Sequence, residues 1–248
     1  MRILLTIEYD GTDYCGWQIQ PNGKTVEEEI ETALFRLTGE KISVTGSGRT
    51  DSGVHAAGQA AHFDTQSKIP SERFSYALNS LLPKDIRIVS SVEVPQTFHA
   101  RFSAKKKTYR YSMYVSNTEK PLKERYAAEI YPLPDIEKMK NICGLLIGEH
   151  DFKCFSASGS EVKSTIRTVY SAEITSNGED IAFIVSGNGF LYNMVRIMAG
   201  TLLSAGYGKL SEADILTALT SGDRTKAGKT MEAKGLCLMK VEYKGYNN

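Results

Sequence analysis

Alternation opens the chain. Ile3, Leu5, Ile7 and Tyr9 fall at every second position, which predicts a strand with one buried face, ended by the Asp10-Gly11 turn. The period then changes. Val26, Ile30, Ala33, Leu34 and Leu37 recur at helical spacing behind Thr25 and Glu28, a capping-box pair, and Gly39 supplies a stop. A helix is therefore predicted from Thr25 to about Leu37. Residues 42–45 read as a short strand entering a glycine-rich turn, and residues 58–63 as the strand leaving it. Ser71 opens a second helix carrying Phe74, Leu78 and Leu81, and residues 86–94 close the set as a strand. The order β-α-β-β-α-β is the ferredoxin-like plan, with helices over one face of an antiparallel sheet.

The second half repeats these ingredients. Strands are expected at 108–115, 125–131, 167–175 and 181–186, the last two around the hairpin signal Asn177-Gly178. Ile136, Met139, Ile142, Cys143 and Leu146 mark a helix. Another runs from about Leu191 to Ala205, one is capped by Ser211, and a final strand covers 236–243. The pattern predicts an α+β protein of two similar halves, 1–104 and 105–248. With no low-complexity linker between them, the halves are expected to share a continuous, mainly antiparallel sheet with helices packed on it and a central cleft.

Composition narrows the class. At 248 residues the chain holds one or two domains, and 41% hydrophobic with 24% charged residues is an ordinary globular balance. That excludes disordered, collagen-like and membrane-bundle chains. The opening MRILLTIEYDG lacks the apolar core of a secretory signal, and no stretch reaches the roughly 18 apolar residues of a membrane span. A cytoplasmic location is expected, with Cys15, Cys143, Cys154 and Cys237 as reduced thiols and no metal site, since none sits at zinc-ligand spacing. Net charge is only +1, from 30 Lys plus Arg against 29 Asp plus Glu. Residues 101–125 nevertheless hold eight basic side chains against Glu119 and Glu124, a local +6.

The densest chemical signal is the run from Gly46 to His55, GSGRTDSGVH. It lacks the Lys-Ser or Lys-Thr of a phosphate loop, and Asp51 stands where a dinucleotide loop needs its third glycine. What remains is a turn whose glycines permit close approach of a ligand around Arg49, Thr50 and Asp51. A plain strand-to-strand turn is the competing reading. Arg196 is the second signal, because Met194, Val195, Ile197 and Met198 surround it with apolar side chains. An Arg in such a helix either snorkels to the surface or has an anionic partner. Tyr109 lies on a Tyr109, Tyr111, Met113, Val115 strand face, where a core aromatic is the ordinary expectation.

GRTDSGVHA together with YDGTDYCGWQ resembles the tRNA pseudouridine synthase A family. PxxFHAR at residues 95–101, KTYRY at 107–111, FLYNMVRIMAG at 190–200 and the terminal GLCLMKVEY resemble further blocks of that family, in the same order. The resemblance implies the pseudouridine synthase fold and an isomerase of uridine in the tRNA anticodon stem-loop, at nucleotides 38, 39 and 40. It implies a homodimer that uses no metal or organic cofactor. By motif position it implies catalytic roles for Asp51, Arg196 and Tyr109, with Arg196 paired to Asp51 across the cleft and Tyr109 as a platform for the target base. Substrate contacts are expected at Arg49, Thr50, His55 and Asn193, and the charge run beside Tyr109 adds Arg101, Lys105, Lys106, Lys107 and Arg110 as phosphate contacts, with a solvated strand end as the competing reading. One departure is visible: Met231-Glu232 stands where similar proteins have Ala-Pro. The alternatives are a non-catalytic RNA-binding protein with RRM-like halves, although the RRM aromatic signature is absent, and a two-carboxylate glycoside hydrolase, although no second acid stands out.

Overall fold

A computed structural model describes residues 1–157, 159 and 162–246. Among these, the elements run β1 (Arg2–Tyr9), α1 (Val26–Thr38), β2 (Thr45–Gly46), β3 (His55–Asp64), α2 (Phe74–Asn79), β4 (Ile86–Val94) and β5 (Ala104–Val115). They continue as β6 (Ala128–Ile130), α3 (Ile136–Leu146), β7 (Gly148–Asp151), β8 (Ile166–Asn177), β9 (Asp180–Gly187), α4 (Met194–Gly206), α5 (Glu212–Ser221) and β10 (Leu236–Tyr243). Two compact units result: Met1–Lys105 with Cys237–Asn248, and Lys106–Leu236. The C-terminal strand thus returns to the first unit, which a division into 1–104 and 105–248 does not contain.

In the first unit, β1 pairs antiparallel with β3 on one side and β4 on the other. The outer edge of β3 is shared: β2 pairs antiparallel at Thr45 and Gly46, and β10 pairs parallel through Cys237 opposite His55 and Leu238 opposite Ala56. Phe74 of α2 meets Phe63 of β3 edge-on with ring centroids 5.4 Å apart, so α2 covers the face carrying Ile3, Leu5 and Ile7. All three are fully buried, each worth about 1.5–3 kcal/mol of transfer free energy. Helix α1 has the predicted N-cap and stop, with the Thr25 half of the capping box shown. Thr25 Oγ accepts from the Glu28 N–H, and Gly39 ends the helix at φ 75°, its N–H donating to the Phe35 carbonyl.

Three expectations change here. β1 is buried on both faces, Leu4 and Thr6 included, because the 95–103 segment covers the second face. His62, opposite Leu4, accepts from the Ala100 N–H at 3.2 Å and meets Phe98 edge-on, while Tyr243 donates to the Ala100 carbonyl. The strand expected at 42–45 is reduced to Thr45–Gly46. Ile42 and Val44 are buried, but the Val44 N–H donates to the Glu31 carboxylate, 2.8 Å away, instead of joining a strand ladder. The second helix begins as a 3₁₀ turn, Ser71–Arg73, and ends at Asn79, so Leu81 falls beyond it and is half-buried, while the following Leu82 is buried.

In the second unit, β9 lies between β5 and β8, β7 lies outside β8, and all these pairs are antiparallel. β6 adds parallel to β5, so the architecture is mixed α+β. β7, of sequence GEHD, was not expected because it has no apolar alternation. The hairpin turn is Gly178-Glu179, one residue later than the Asn177-Gly178 signal, with Asn177 opposite Asp180 and Gly178 at φ 62°. Ser211 and Asp214 cap α5 reciprocally. α4 is buried around most of its circumference, and its close neighbour is the 228–231 backbone. A Cβ on Gly200 would stand 1.9 Å from the Lys229 carbonyl oxygen, and Thr201 Oγ accepts from the Gly228 N–H. Cys143 and Cys154 are buried free thiols, pushed up to about 12 by burial.

The cover over β1 gives a pH dependence. Burial, followed by the nearby Arg2 and His99, pushes His62 down to about 4 from an ordinary 6.5. The unfolded chain therefore binds more protons between those values. This contribution to stability is full above about pH 6.5 and is lost as the pH falls towards 4. Urea midpoints should drop across that window. His62→Gln keeps an acceptor for the Ala100 N–H and should flatten much of the drop; an unaltered slope would assign the loss to other groups.

Candidate active site

The loop carrying Asp51 is built by the YDGTDYCGW segment, and the two approach backbone to backbone. A Cβ on Gly11 would lie 2.0 Å from the Val54 carbonyl oxygen, and one on Gly16 (φ 88°) 2.5 Å from that of Thr50. Only glycine fits such contacts. The Tyr14 carbonyl accepts from the Gly53 N–H and the Ser52 hydroxyl, and the Thr50 carbonyl accepts from the Trp17 N–H. Buried Trp17 lies against Gly46, where a Cβ would meet its indole at 2.6 Å. Tyr9 OH and Thr50 Oγ are 2.7 Å apart in the interior.

Gln59 of β3 secures the start of the loop. It is fully buried, accepts from Ser47 Oγ and the Ala60 N–H, and donates to the Gly48 carbonyl. Sequence reading missed it; its signal was one long polar side chain in the otherwise small and apolar run GQAA. Asp51 itself is half-buried, its carbonyl accepting from the Val54 N–H, and Arg49 is exposed. Thr50 and His55, expected to face substrate, point inward instead. His55 is 5% exposed, and its Nδ1 accepts from the Gly11 N–H, with an Asp10 oxygen 3.2 Å away. Both side chains fix the turn from beneath.

In the second unit Arg196 does not snorkel. Its Nε donates to the Met231 carbonyl at 2.7 Å and its Nη1 to Asn193 Oδ1 at 2.6 Å, while the Met231 N–H donates to the Arg196 carbonyl at 3.3 Å. The segment after Met231 is held through main-chain atoms as well. Tyr111 OH donates to the Glu232 carbonyl, Glu232 has φ −58°, and its carboxylate pairs with Lys234 at 3.1 Å. Tyr109 is 8% exposed and stands edge-on to Phe190, centroids 5.2 Å apart at 84°. Phe190 is the partner that sequence reading did not single out.

The basic run is less uniform than its count. Lys120 and Lys123 form ion pairs with Glu179 and Asp180 at the β8–β9 turn, so part of the local +6 is neutralised within the unit. Arg101, Lys105 and Arg110 are exposed, Lys106 and Lys107 half-buried, and the Arg101 guanidinium lies 5.7 Å from the exposed Phe102 ring. Among the described residues no group of three or more His, Cys, Asp or Glu is placed to hold a metal ion, and no helix is long and apolar enough to cross a membrane.

The model of the family described as tRNA pseudouridine synthase matches residues 5–103 and 142–244, and the chain belongs to that family. Within it, the similar proteins carry a narrower name. "tRNA pseudouridine synthase A" of Ruminiclostridium cellulolyticum is 53% identical over 243 residues, covering 98% of this chain and 99% of that protein. The protein of the same name from Caldicellulosiruptor bescii is likewise 53% identical over 243 residues, and that of Exiguobacterium sp. is 46% identical over 242. Among solved structures, a chain of a Cbf5-Nop10-Gar1 complex aligns with 95% of this one at TM-score 0.40 and 13% identity, too distant to carry weight.

Gly16 and Gly39 make a matched pair for testing the loop packing. Both have positive φ, but a Cβ on Gly39 would have nothing within 4 Å, whereas one on Gly16 faces the Thr50 oxygen. Gly39→Ala should lose about 1–2 kcal/mol from backbone conformation alone. Gly16→Ala should lose clearly more, and the Gly53 and Val54 amides should exchange faster with solvent. Equal losses in the two variants would mean that the close approach contributes nothing.

Proposed function

We propose that the chain isomerises uridine to pseudouridine in the anticodon stem-loop of tRNA, at nucleotides 38, 39 and 40, with Asp51 as the catalytic carboxylate. The reaction breaks the N1–C1′ bond, turns the base and joins C5 to C1′; the proton lost from C5 is balanced by one gained at N1. A carboxylate serves such a reaction either as a nucleophile on the substrate or as counter-charge to an oxocarbenium-like sugar. The observation that carries the reading is the construction of the Asp51 loop. Its neighbours are fixed from beneath by glycine contacts, Tyr9, Trp17 and Gln59, while Asp51 itself stays half-exposed in a chain of this family.

Arg196 supports the Asp51 charge, Tyr109 offers a ring face to an extruded base, and Arg49, Arg101, Lys105, Lys106, Lys107 and Arg110 meet phosphates. The enzyme works as a cytoplasmic homodimer without metal or organic cofactor. Family membership weighs against the RRM-like binding module, and conversion without release of free uracil separates the reaction from glycoside hydrolysis.

Purified protein incubated in EDTA with unmodified tRNA transcripts should form pseudouridine in the anticodon arm. Asp51→Asn should fold and bind tRNA yet form none. Arg196→Lys keeps charge but not the planar fork, and should be severely impaired. Substantial product from Asp51→Asn would defeat the catalytic assignment. Separately, replacing Lys105, Lys106 and Lys107 with Glu should weaken binding to many tRNAs alike and lower the salt slope by about one unit for each phosphate no longer neutralised. An unchanged slope would make the run a solvated edge.

A further inference from the structure

Asn193 occupies the N-cap position of α4, where an Asn side chain ordinarily sits on extended backbone and accepts from an N–H of the first turn. It does neither. Its backbone is left-handed, φ 59° and ψ 7°, the positive φ of a non-glycine residue among those described, and its side chain makes no cap bond. Asn is among the few residues that tolerate this conformation, but it is still disfavoured relative to ordinary backbone. The side chain is turned instead onto the helix's own guanidinium, Oδ1 to Arg196 Nη1 at 2.6 Å. On the other side Arg196 Nε donates to the Met231 carbonyl at 2.7 Å. Two acceptors on different segments thus grip two nitrogens of one planar group, which fixes both its position and its plane. A disfavoured backbone and a forgone cap are the kind of local strain that persists where a side chain must be aimed.

We propose that Asn193 is a positioning residue for Arg196, acting on the reaction through the orientation of that guanidinium and not through contact with tRNA. The inference rests on the catalytic role given to Arg196 above. It changes the expectation for Asn193, which motif position alone had grouped with substrate contacts. A misaimed guanidinium leaves the charge of the site intact and loses its geometry, so the effect belongs in the chemical step and not in binding.

The test uses Asn193→Gly, which keeps the left-handed backbone without strain and removes only the acceptor. The variant should fold with at least wild-type thermal stability and bind tRNA within about twofold of wild type. Its single-turnover rate should fall by about tenfold or more. Arg196 Nε–H exchange, followed by nitrogen-15 NMR, should quicken. In an Arg196→Lys background, Asn193→Gly should cost little further rate, because the group it aims is already gone. An unchanged rate in Asn193→Gly would overturn the inference, as would weakened tRNA binding with the rate intact, or an undiminished effect on top of Arg196→Lys. If Arg196→Lys alone is fully active, the proposed role of Arg196 fails first. Quickened Nε–H exchange in Asn193→Gly would then still report the clamp as a structural contact without catalytic consequence.

Discussion

The structure turns on one steric constraint, the contact of two backbones at Gly11 and Gly16. Because Val54 and Thr50 carbonyl oxygens occupy the space of side chains there, the first turn after β1 and the loop before β3 form a single packed object. Its hydrogen bonds contribute about 1 kcal/mol each. Ordering backbone opposes this by roughly 1–2 kcal/mol per residue, so the bonds alone do not hold the loop. Burial of Tyr9, Tyr14 and Trp17, each 3% exposed or less, supplies the difference. The loop is rigid because aromatic side chains beneath it are dry, and its polar groups then select one conformation from those that remain.

The second unit reaches a comparable result by other means. α4 is too apolar to be anything but an interior helix, and Arg196 on it is only partly exposed, so protein groups do much of its orienting. The orienting groups come from main chain: the 228–231 segment runs against α4 at Gly200 and Thr201 and delivers the Met231 carbonyl to the guanidinium. A fixed carbonyl dipole orients a cation without neutralising it.

What was legible in the sequence follows the range of the forces involved. β4 and β10 were read to the residue, and α1 and α5 with their caps, because alternation, helical period and capping are local. The two-sided burial of β1 was not legible, since its second cover arrives from the distant 95–103 segment. β2 shrank because a helix carboxylate outcompeted a strand partner for the Val44 N–H. In the site, the Asp51 turn and the oddity of Arg196 were visible as residue types out of place. The inward turn of Thr50 and His55 was hidden, because a motif records which residues a site needs and not which of them face out. The charge run carries less net charge in space than in sequence for a related reason: Glu179 and Asp180 lie far along the chain from Lys120 and Lys123 but beside them in space.

The segment after α5 carries Met231-Glu232, where the family resemblance implies Ala-Pro, and its geometry does not depend on those two side chains. Its bonds to Arg196 and Tyr111 use the peptide groups of Met231 and Glu232, not their side chains. Glu232 rests at φ −58°, within the range a pyrrolidine ring would impose. A proline at this position is compatible with the same φ. What differs lies in the denatured chain, where glutamate has more conformations to lose, worth about 0.4–1 kcal/mol. Against that loss stands an exposed carboxylate paired with Lys234, a contribution of similar small size. The two terms nearly cancel, so what this position requires is a backbone path and not a particular side chain.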